Sequence, residues 1–470
     1  MRHFFLLSFA LLLNMCDADA QFDQALAKNY ELYKEPSITH RRFKHEVVEG
    51  LVKRLATPFK VEPAGASIEG RNIYKVSIGS GPVKVLLWSQ MHGDESTATM
   101  ALMDMFRFFQ ASDQFDPLRR QLLRELTIVF IPMLNPDGAE RFTRRNALGV
   151  DLNRDALRLQ SPEAQLLKRV RDELKADWGF NLHDQSRYYA AGMQSNTATI
   201  SFLAPAYNYE KEVNKIRGRA MQLIGLMNGT LQNYIPGKVA RYNDDFEPRA
   251  FGDNITKWGT STILIESGGL VDDPEKQEIR KLNFLVIMSA LEAIAAHRYE
   301  MADRAAYEAI PFNESNAFMD LTLREVEIER NGKWYTVDIG LRRDETIVDG
   351  ESVMSGAYVA DQGDLSTYFS YENFSGRDYQ ATPGRIYPKV MPNTAAVRKL
   401  DHRSLWLQGY TAVRVAQWDD AAGQVQEMDV LPPNEKDKEQ MIAPGYGSGV
   451  VLKKGGKVEY VVIKGRLYEL

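Results

Sequence analysis

Between about residues 21 and 300, short apolar runs of strand length alternate with longer segments in which apolar residues recur at helical spacing. Residues 82–90 (PVKVLLWSQ) predict a buried strand, and residues 97–110 (TATMALMDMFRFFQ) predict a helix. Further buried strands are predicted at residues 126–133, 178–182 and 262–266. Strands rich in Val, Ile and Leu that alternate with helices indicate an α/β fold, a mixed twisted sheet covered by helices on both faces.

Helix starts and turns have their own signals in this region. Ser161 followed by Pro162 predicts a capped helix start, with the helix running to about Lys175. Asp273 and Pro274 predict the start of a second long helix that ends near His297. The sequence Asn-Pro-Asp-Gly at residues 135–138 predicts a turn after the second strand.

After about residue 310 the pattern becomes alternating, which is typical of half-buried strands. Residues 320–330 and 334–342 predict two strands joined at Asn331-Gly332, and residues 454–457 (KGGK) predict another hairpin turn. We therefore expect residues 21–305 to form the α/β domain and residues 306–470 an all-β appendage. A division of the appendage into two small units near residues 392–403 is an alternative.

The first twenty residues have the composition of an export signal. Arg2 precedes a short apolar run, and the small-residue pattern at residues 18–20 (ADA) suits cleavage after Ala20. Residues 1–20 are therefore predicted to be a signal peptide, and the protein a periplasmic or extracellular one of bacterial origin. Lipidation of Cys16, the one cysteine of the sequence, is the less favoured alternative. Without Cys16 the mature chain has no thiol, so any metal ligands must be histidines and carboxylates.

Composition narrows the class of protein without indicating its chemistry. Hydrophobic residues make up 44% of the chain and charged residues 26%, and the net charge is −5, which together are typical of a water-soluble globular protein. Basic residues are scattered, so no nucleic-acid partner is expected. The most apolar later segment, residues 284–296, contains Glu292 and is too short to span a membrane. The oligomeric state is left open.

A candidate metal site begins directly after the first buried strand. His92 and Glu95 are three residues apart at a strand-to-helix junction, and His183 ends another predicted strand. Carboxyl ends of strands are where α/β sheets place ligand sites. Zinc in a hydrolase takes three protein ligands and keeps one position open for water. We therefore expect these three residues to bind one zinc ion; a surface loop with a stray histidine is the alternative for His92.

Two further groups suit chemistry beside a metal. Glu266 ends an apolar strand, where an unpaired carboxylate would be costly, so a role as general base is expected, with a side chain reaching solvent as the alternative. Arg144 and Arg154 are separated arginines that would suit a substrate with a polarised carbonyl and a free carboxylate. A basic surface loop, ion-paired to Asp151 and Asp155, explains the two arginines equally well.

In combination these motifs resemble the zinc carboxypeptidases related to pancreatic carboxypeptidase A. The resemblance covers about residues 40–300 and leaves the C-terminal third outside it. Its motifs are the lead-in at residues 67–71 (SIEGR), His92-x-x-Glu95, residues 135–138 (NPDG), Arg144-x-Asn146, residues 149–154 (GVDLNR), His183 and Glu266.

The resemblance implies a role for each matching residue. His92, Glu95 and His183 would bind one Zn(2+) per chain, and Glu266 would move a proton between the zinc-bound water and the leaving amine. Arg144 would stabilise the oxyanion, while Asn153 and Arg154 would hold the free C-terminal carboxylate of a peptide substrate. Tyr242 is the candidate for the tyrosine that closes over substrate. Asp253, in residues 249–254 (RAFGDN), hints at a cationic terminal residue, although it could equally pair with Arg249. One departure is Asp94, where digestive members have arginine.

Three functions remain in competition. The first is a metallocarboxypeptidase acting on extracytoplasmic peptides, with murein-type peptides included. The second is an N-acyl amino acid deacylase of the aspartoacylase and succinylglutamate desuccinylase type, which shares the zinc residues but is generally cytoplasmic. The third is a binding module without turnover, although Glu266 and all three candidate ligands are present.

Overall fold

The computed structural model describes residues 22–348, 351–435, 441–447 and 449–470. The predicted signal peptide at residues 1–20 and the lipidation site at Cys16 lie outside the described residues. The chain divides after Glu314 into two compact units. The domain boundaries expected from the sequence, at residues 20 and 305, stay predictions.

The first unit contains an eight-stranded mixed sheet flanked by helices. The strands of the first unit, which include two outside this sheet, are β1 (Lys60–Ala66), β2 (Asn72–Ile78), β3 (Val83–Ser89), β4 (Leu126–Ile131), β5 (Trp178–Asp184), β6 (Ala190–Ala191), β7 (Ile200–Leu203), β8 (Val239–Arg241), β9 (Ser261–Ser267) and β10 (Asn313–Glu314). Its helices are α1 (22–28), α2 (Tyr30–Tyr33), α3 (His45–Lys53), α4 (Thr97–Gln110), α5 (Asp116–Glu125), α6 (Pro136–Arg141), α7 (Pro162–Leu174), α8 (Lys215–Gln232), α9 (Phe251–Lys257), α10 (Gln277–Ala295) and α11 (Ala305–Glu308), with 3₁₀ turns at Leu152–Arg154 and Arg298–Met301.

The strand order β1-β2-β4-β3-β5-β9-β7-β8 places four parallel strands side by side in the centre of the sheet. Strands β4, β3, β5 and β9 run parallel, whereas β2 pairs antiparallel with β4 and β7 antiparallel with β9. The short strands β6 and β10 pair apart from this sheet. The carboxyl ends of β3, β5 and β9 therefore meet at one edge, and in the β5–β9 register His183 is the partner of Glu266.

Both faces of the sheet are buried, which explains why the central strands are apolar along their whole length. In β3, Val85 and Leu87 belong to a core shared with α4, α8 and α10, whereas Leu86 and Trp88 belong to a core shared with α7 and α9. Successive strand residues point to opposite faces, so an uninterrupted apolar run supplies both cores. The expectation of a mixed sheet covered by helices on both faces is confirmed.

Two local predictions were wrong. The long helix α10 begins at Gln277 instead of Asp273, because Lys276 adopts a left-handed conformation (φ 51°) and interrupts the chain there. The Asp273 carboxylate instead accepts hydrogen bonds from the backbone N–H groups of residues 277–279. The expected turn at residues 135–138 is the start of α6, where the Asn135 side chain accepts a hydrogen bond from Gly138 N–H.

The second unit is built mainly of strands, as expected. Its elements are β11 (Phe318–Arg330), β12 (Lys333–Val348), β13 (Glu351–Gly363), β14 (Phe369–Ser375), β15 (Gln380–Pro383), β16 (Arg385–Asn393), β17 (Tyr410–Gln417), β18 (Asp429–Leu431), β19 (Val450–Lys454), β20 (Lys457–Ile463), β21 (Arg466–Glu469), the short helices α12 (Thr394–Val397) and α13 (His402–Leu407), and a 3₁₀ turn at Asp420–Gln424. The Asn331-Gly332 hairpin is confirmed: both residues have positive φ, and Arg330 pairs with Lys333.

The strands of the second unit form a large sheet and a three-stranded parallel one. The large sheet has the order β13-β12-β11-β15-β19-β20-β21, with β14 also paired to β11. Because β15 pairs with β19, strands from before and after residues 392–403 belong to the same sheet. The smaller sheet has the order β16-β17-β18. Within the described residues of the whole chain, every helix is too short or too polar to serve as a membrane span.

Candidate metal centre

A tight loop between β3 and α4 brings His92 and Glu95 to the edge of the sheet. Gln90 takes a positive φ of 47°, and its side-chain amide donates to the Gly93 carbonyl at 3.0 Å. Gly93 packs against the backbone of Gly138, where a Cβ atom would lie 2.0 Å from the Gly138 carbonyl carbon. Only glycine fits at this close approach, which lets the loop turn sharply between the two polar residues.

His92, Glu95 and His183 converge into one buried cluster. Their ligand atoms all lie within 4.8 Å of one another, and the three residues are 1%, 8% and 2% exposed. His92 Nδ1 lies 2.8 Å from Glu95 Oε1, and His183 Nδ1 lies 2.8 Å from Glu95 Oε2. The three candidates that the sequence suggested from distant positions therefore occupy one point in space.

The donor set of this cluster fits a zinc ion. The two Nδ1 atoms, of His92 and His183, lie 3.2 Å apart. Nitrogen ligands bound at 2.0–2.1 Å to a tetrahedral zinc ion would lie about 3.3 Å apart, and two imidazoles with one carboxylate are a common catalytic zinc set. Two ring nitrogens that face each other at this distance, with a carboxylate between them, are arranged to share a cation.

The charges within the cluster perturb its protonation. Burial lowers the pKa of His92, but Glu95 and Asp151 outweigh this effect and raise the pKa to about 9. Burial raises the pKa of Glu95, yet the neighbouring imidazoles of His92 and His183 hold it below its ordinary value. Burial is the largest influence on His183 and lowers its pKa. The carboxylate of this cluster is thus favoured in the charged form that binds metal.

Asp151 orients His92 from the side opposite the cluster. Its Oδ1 atom lies 3.1 Å from His92 Nε2, and the same atom accepts a hydrogen bond from Asn153 N–H at 2.9 Å. A histidine ligand commonly donates its second ring N–H to a carboxylate, which fixes the ring and its tautomer. From the sequence, Asp151 is predicted only as an ion-pair partner of the arginines. Its contact with His92 is not predictable locally, because the two residues are 59 positions apart.

Arg144 lies at the rim of the cluster. Its Nη1 atom donates to Glu95 Oε1 at 3.1 Å, and its Nε atom donates to Asp151 Oδ2 at 3.1 Å. The side chain is 43% exposed, so the guanidinium is partly open to solvent above the cluster. Of the two readings of Arg144, the ion pair to Asp151 exists, and the same contact holds the guanidinium beside the candidate ligands.

Glu266 is partly buried on the strand next to His183. Its Oε2 atom has no hydrogen-bond partner among the described residues. Burial, followed by the charge of Glu95, raises the pKa of Glu266 well above its ordinary value. A carboxyl group with a raised pKa and a free oxygen is suited to accept and return a proton.

The zinc carboxypeptidase family model matches residues 45–199.

Residues 45–199 of the chain therefore resemble a zinc carboxypeptidase domain.

The individual proteins that resemble this chain are distant from it in sequence. Carboxypeptidase SOL1 of Arabidopsis thaliana is 23% identical over 193 residues, which cover 35% of this chain and 39% of that protein. Carboxypeptidase D of Drosophila melanogaster is 27% identical over 143 residues, which cover 26% of this chain and 10% of that protein. A metallo-carboxypeptidase from Burkholderia cenocepacia is 19% identical, with a TM-score of 0.44 and coverage of 55% of this chain and 69% of that chain. This chain therefore spans well under half of the curated relatives' length.

The other predicted site residues each have a contact of their own. Asn153 accepts a hydrogen bond from Phe251 N–H at 2.9 Å, which ties the residue 152–154 turn to the start of α9. Arg154 is 38% exposed and pairs with Glu247 at 3.4 Å. The Tyr242 hydroxyl lies 3.4 Å from that of Tyr189, and burial, this hydrogen bond and the Glu266 charge all raise the pKa of Tyr242.

Asp253 is engaged with the backbone of its own loop. Its Oδ1 atom accepts a hydrogen bond from Glu247 N–H at 3.0 Å, and burial raises its pKa to about 7. Arg249, the suggested partner of Asp253, pairs with Glu247 instead. Asp253 is therefore only partly available as a charged partner for a substrate.

Two residues near the site had no signal in the sequence. Tyr189 contacts Tyr242, with ring centroids 6.1 Å apart. Lys276 donates to Asp184 Oδ2 at 3.0 Å and to the Ser267 carbonyl at 2.9 Å, so it joins the ends of β5 and β9. Lys276 lies 92 residues beyond Asp184, and nothing in its local sequence indicates this bridging position.

Proposed function

We propose that the first unit is a zinc-dependent carboxypeptidase that removes the C-terminal residue of peptides outside the cytoplasm. The observation that carries the proposal is the convergence of His92, Glu95 and His183, with Glu266 paired to His183 on the neighbouring strand. The match of residues 45–199 to the zinc carboxypeptidase family supports the same reaction class.

His92, Glu95 and His183 would hold one zinc ion per chain through two Nδ1 atoms and a carboxylate. A zinc ion in such a site polarises a carbonyl group and lowers the pKa of bound water from about 15.7 to near 7. Asp151 keeps the His92 ring oriented for this task, since its carboxylate lies 3.1 Å from Nε2.

Glu266 moves the proton during peptide hydrolysis. Its free oxygen accepts a proton from the attacking water, and the protonated carboxyl group then delivers that proton to the nitrogen of the leaving amine. The raised pKa of Glu266, caused mainly by burial, favours holding the proton between the two steps. General acid–base catalysis of this kind contributes about 10² to 10⁴ in rate.

Arginine and amide groups along residues 144–154 bind the substrate. Arg144, with its guanidinium beside Glu95, stabilises the negative charge that develops on the carbonyl oxygen, a role whose loss costs about 10² to 10³ in rate. Asn153 and Arg154 hold the free C-terminal carboxylate, which restricts cleavage to the last residue. Tyr242 covers the bound residue, and Asp253 lies beside the pocket for its side chain.

The test uses the purified protein with synthetic peptides, and mass spectrometry reads the products. We expect loss of a single C-terminal residue, inhibition by a chelator, and recovery when zinc is added back. A peptide with an amidated C-terminus should resist cleavage, because it lacks the carboxylate. Cleavage that a chelator does not affect would contradict the proposal, as would turnover of N-acyl amino acids without turnover of peptides.

Two histidine variants separate the metal site from general damage to the protein. His183→Ala should lose bound zinc, measured by elemental analysis, together with activity. His297→Ala is the matched control, since the His297 side chain is 57% exposed and pairs with Glu300. Equal zinc content in both variants would refute the proposed ligand set.

Export is the part of the proposal that rests on residues 1–20 alone. Expression of the full chain in a Gram-negative host should release the processed protein to the periplasm, with an N-terminus at Gln21. Retention of the intact chain in the cytoplasm would contradict this part of the proposal and leave the enzymatic part untouched.

A further inference from the structure

The side-chain amide of Asn181 is buried in the interior of the first unit and makes no hydrogen bond with the described residues. It lies in β5, is fully buried, and neither Oδ1 nor Nδ2 has a partner in the described parts of the chain. A buried polar group without a partner costs about 1 to 3 kcal/mol. The amide is therefore positioned to bind something that enters from outside.

The alternation of strand side chains places Asn181 on the same face of the sheet as His183. Asn181 lies two residues before His183, so the two side chains share one face of the sheet. On the next strand, Leu264 pairs with Asn181 as Glu266 pairs with His183. The Asn181–Leu264 pair thus lies two residues, about 6.6 Å along the strands, before the His183–Glu266 pair.

A second unpaired donor belongs to the neighbouring strand, on the same face of the sheet. Trp88 is the β3 partner of Asn181, and its indole Nε1 is likewise buried without a partner among the described residues. A Cβ atom on Gly179 would lie 3.1 Å from the Trp88 ring, which shows that the ring covers the same face of β5. Two N–H donors and one carbonyl acceptor therefore lie on this face.

Helix α9 closes the region opposite the strand. A Cβ atom on Gly252 would lie 3.4 Å from Asn181 Nδ2, so the helix backbone passes directly over the amide. The preceding residue, Phe251, donates its N–H to Asn153, one of the two groups proposed to hold the substrate carboxylate. The start of α9 therefore contacts both Asn181 and Asn153.

We propose that Asn181 determines specificity for the C-terminal residue and that it selects side chains ending in a primary amide, those of glutamine and asparagine. The proposal rests on the carboxypeptidase function proposed above. A residue with its carboxylate at Asn153 and Arg154 and its scissile carbonyl at the cluster projects its side chain toward Asn181. A primary amide offers one carbonyl oxygen to the two donors and one N–H group to the acceptor.

A charged Asp253 carboxylate would instead favour a substrate whose terminal residue is cationic. One oxygen of Asp253 is already used by Glu247 N–H, whereas Oδ1 and Nδ2 of Asn181 have no hydrogen-bond partner in the part of the chain that the structure describes. The structure therefore favours the amide over the carboxylate as the group that reads the terminal side chain. Peptides that end in arginine or lysine are nevertheless included in the experiment.

The experiment compares peptides that differ only in the last residue, Gln, Asn, Leu, Glu, Arg or Lys, with the zinc-loaded enzyme. We expect kcat/KM for Gln or Asn to exceed that for Leu by about 10²-fold or more, because a site built to hydrogen-bond rejects an analogue without that group. Asn181→Leu should reverse this preference, and Trp88→Phe, which removes the indole N–H and keeps an aromatic side chain, should reduce it about tenfold.

Control variants separate specificity from folding. Asn181→Ser retains a small polar group, so if Asn181→Leu does not fold, the serine variant should still lower the Gln-to-Leu ratio. Asn283→Ser removes a buried asparagine that already donates to Ser267 Oγ and the Ile279 carbonyl. It should lower the melting temperature and leave the ratio unchanged.

The outcomes also distinguish this inference from the proposed function. Equal kcat/KM for all six residues, a preference for Leu or Arg, or an unchanged ratio in Asn181→Leu would overturn the role of Asn181, with a buried water satisfying the amide instead. Absence of any metal-dependent release would contradict the carboxypeptidase function itself. In that case calorimetry with free glutamine and leucine still tests Asn181, since only glutamine should bind and Asn181→Leu should abolish that binding.

Discussion

Replacing Asp151 with asparagine is expected to weaken zinc binding without removing a ligand. Three donors converge on this carboxylate: His92 Nε2 at 3.1 Å, Arg144 Nε at 3.1 Å and Asn153 N–H at 2.9 Å. Asparagine supplies a single acceptor oxygen, and its NH₂ group would face one of these donors. The negative charge that faces both His92 and Arg144 is therefore lost, whichever way the new amide is turned.

The expected magnitude follows from the role of the carboxylate as the orienting partner of a ligand. Loss of such a partner typically weakens metal binding by about 10- to 100-fold. This corresponds to about 1.4 to 2.7 kcal/mol of binding free energy. Competition between the protein and a chromophoric chelator, followed by absorbance at fixed pH, measures the zinc dissociation constant directly.

Asp155→Asn is the matched control for this prediction. Asp155 lies in the same loop and accepts hydrogen bonds from the backbone of Gln160 and Ser161 and from the Ser161 hydroxyl. Its replacement should lower the melting temperature and leave the zinc dissociation constant unchanged. A dissociation constant for Asp151→Asn within about threefold of the unmodified protein would show that Asp151 does not orient His92 as a ligand, since it falls short of the expected range.

Three other predictions concern catalysis, stability and pH. Glu266→Gln should lower kcat by about 10² to 10⁴ while zinc content stays the same, and a smaller loss would argue against its role as general base. Arg280→Met should cost about 3 to 5 kcal/mol in urea denaturation, because it leaves the buried Asp104 carboxylate unpaired, whereas the exposed Glu278→Gln should cost little. Asp253 has its pKa raised from 3.8 to about 7 by burial, so the folded state binds its proton more tightly and stability should fall as pH rises across that interval. Asp253→Asn should flatten the dependence, and an unchanged slope would contradict the assignment.

Local pattern was sufficient for elements in which periodicity and end signals agree. The helix expected at residues 97–110 is α4 with the same bounds, and Ser161 caps α7 as expected, accepting a hydrogen bond from Ala164 N–H. The prediction for α10 was wrong at its start because Lys276 bonds to Asp184 and the Ser267 carbonyl, a contact with distant strands that overrides the local helix signal.

The candidate site was only partly accessible to sequence reasoning. Strand-end positions marked His92, His183 and Glu266 one at a time, since a polar residue at the end of an apolar run is detectable locally. The contacts that organise them are long-range: Asp151 reaches His92 across 59 residues, and Tyr189 reaches Tyr242 across 53. Neither contact produces a recognisable pattern in the amino-acid sequence.

The amino-acid sequence by itself determined the alternation of strands and helices, the β-rich C-terminal third and the residue types available for metal chemistry, because these depend on local hydrophobic spacing and side-chain identity. Only the tertiary structure decided that Glu266 is the strand partner of His183 and that the two Nδ1 atoms lie 3.2 Å apart. It also decided that the Asn181 side chain is buried with no hydrogen-bond partner among the described residues. Strand order and register bring residues together across long loops, and the hydrogen-bonding state of a buried group depends on those neighbours rather than on the residues beside it in the chain.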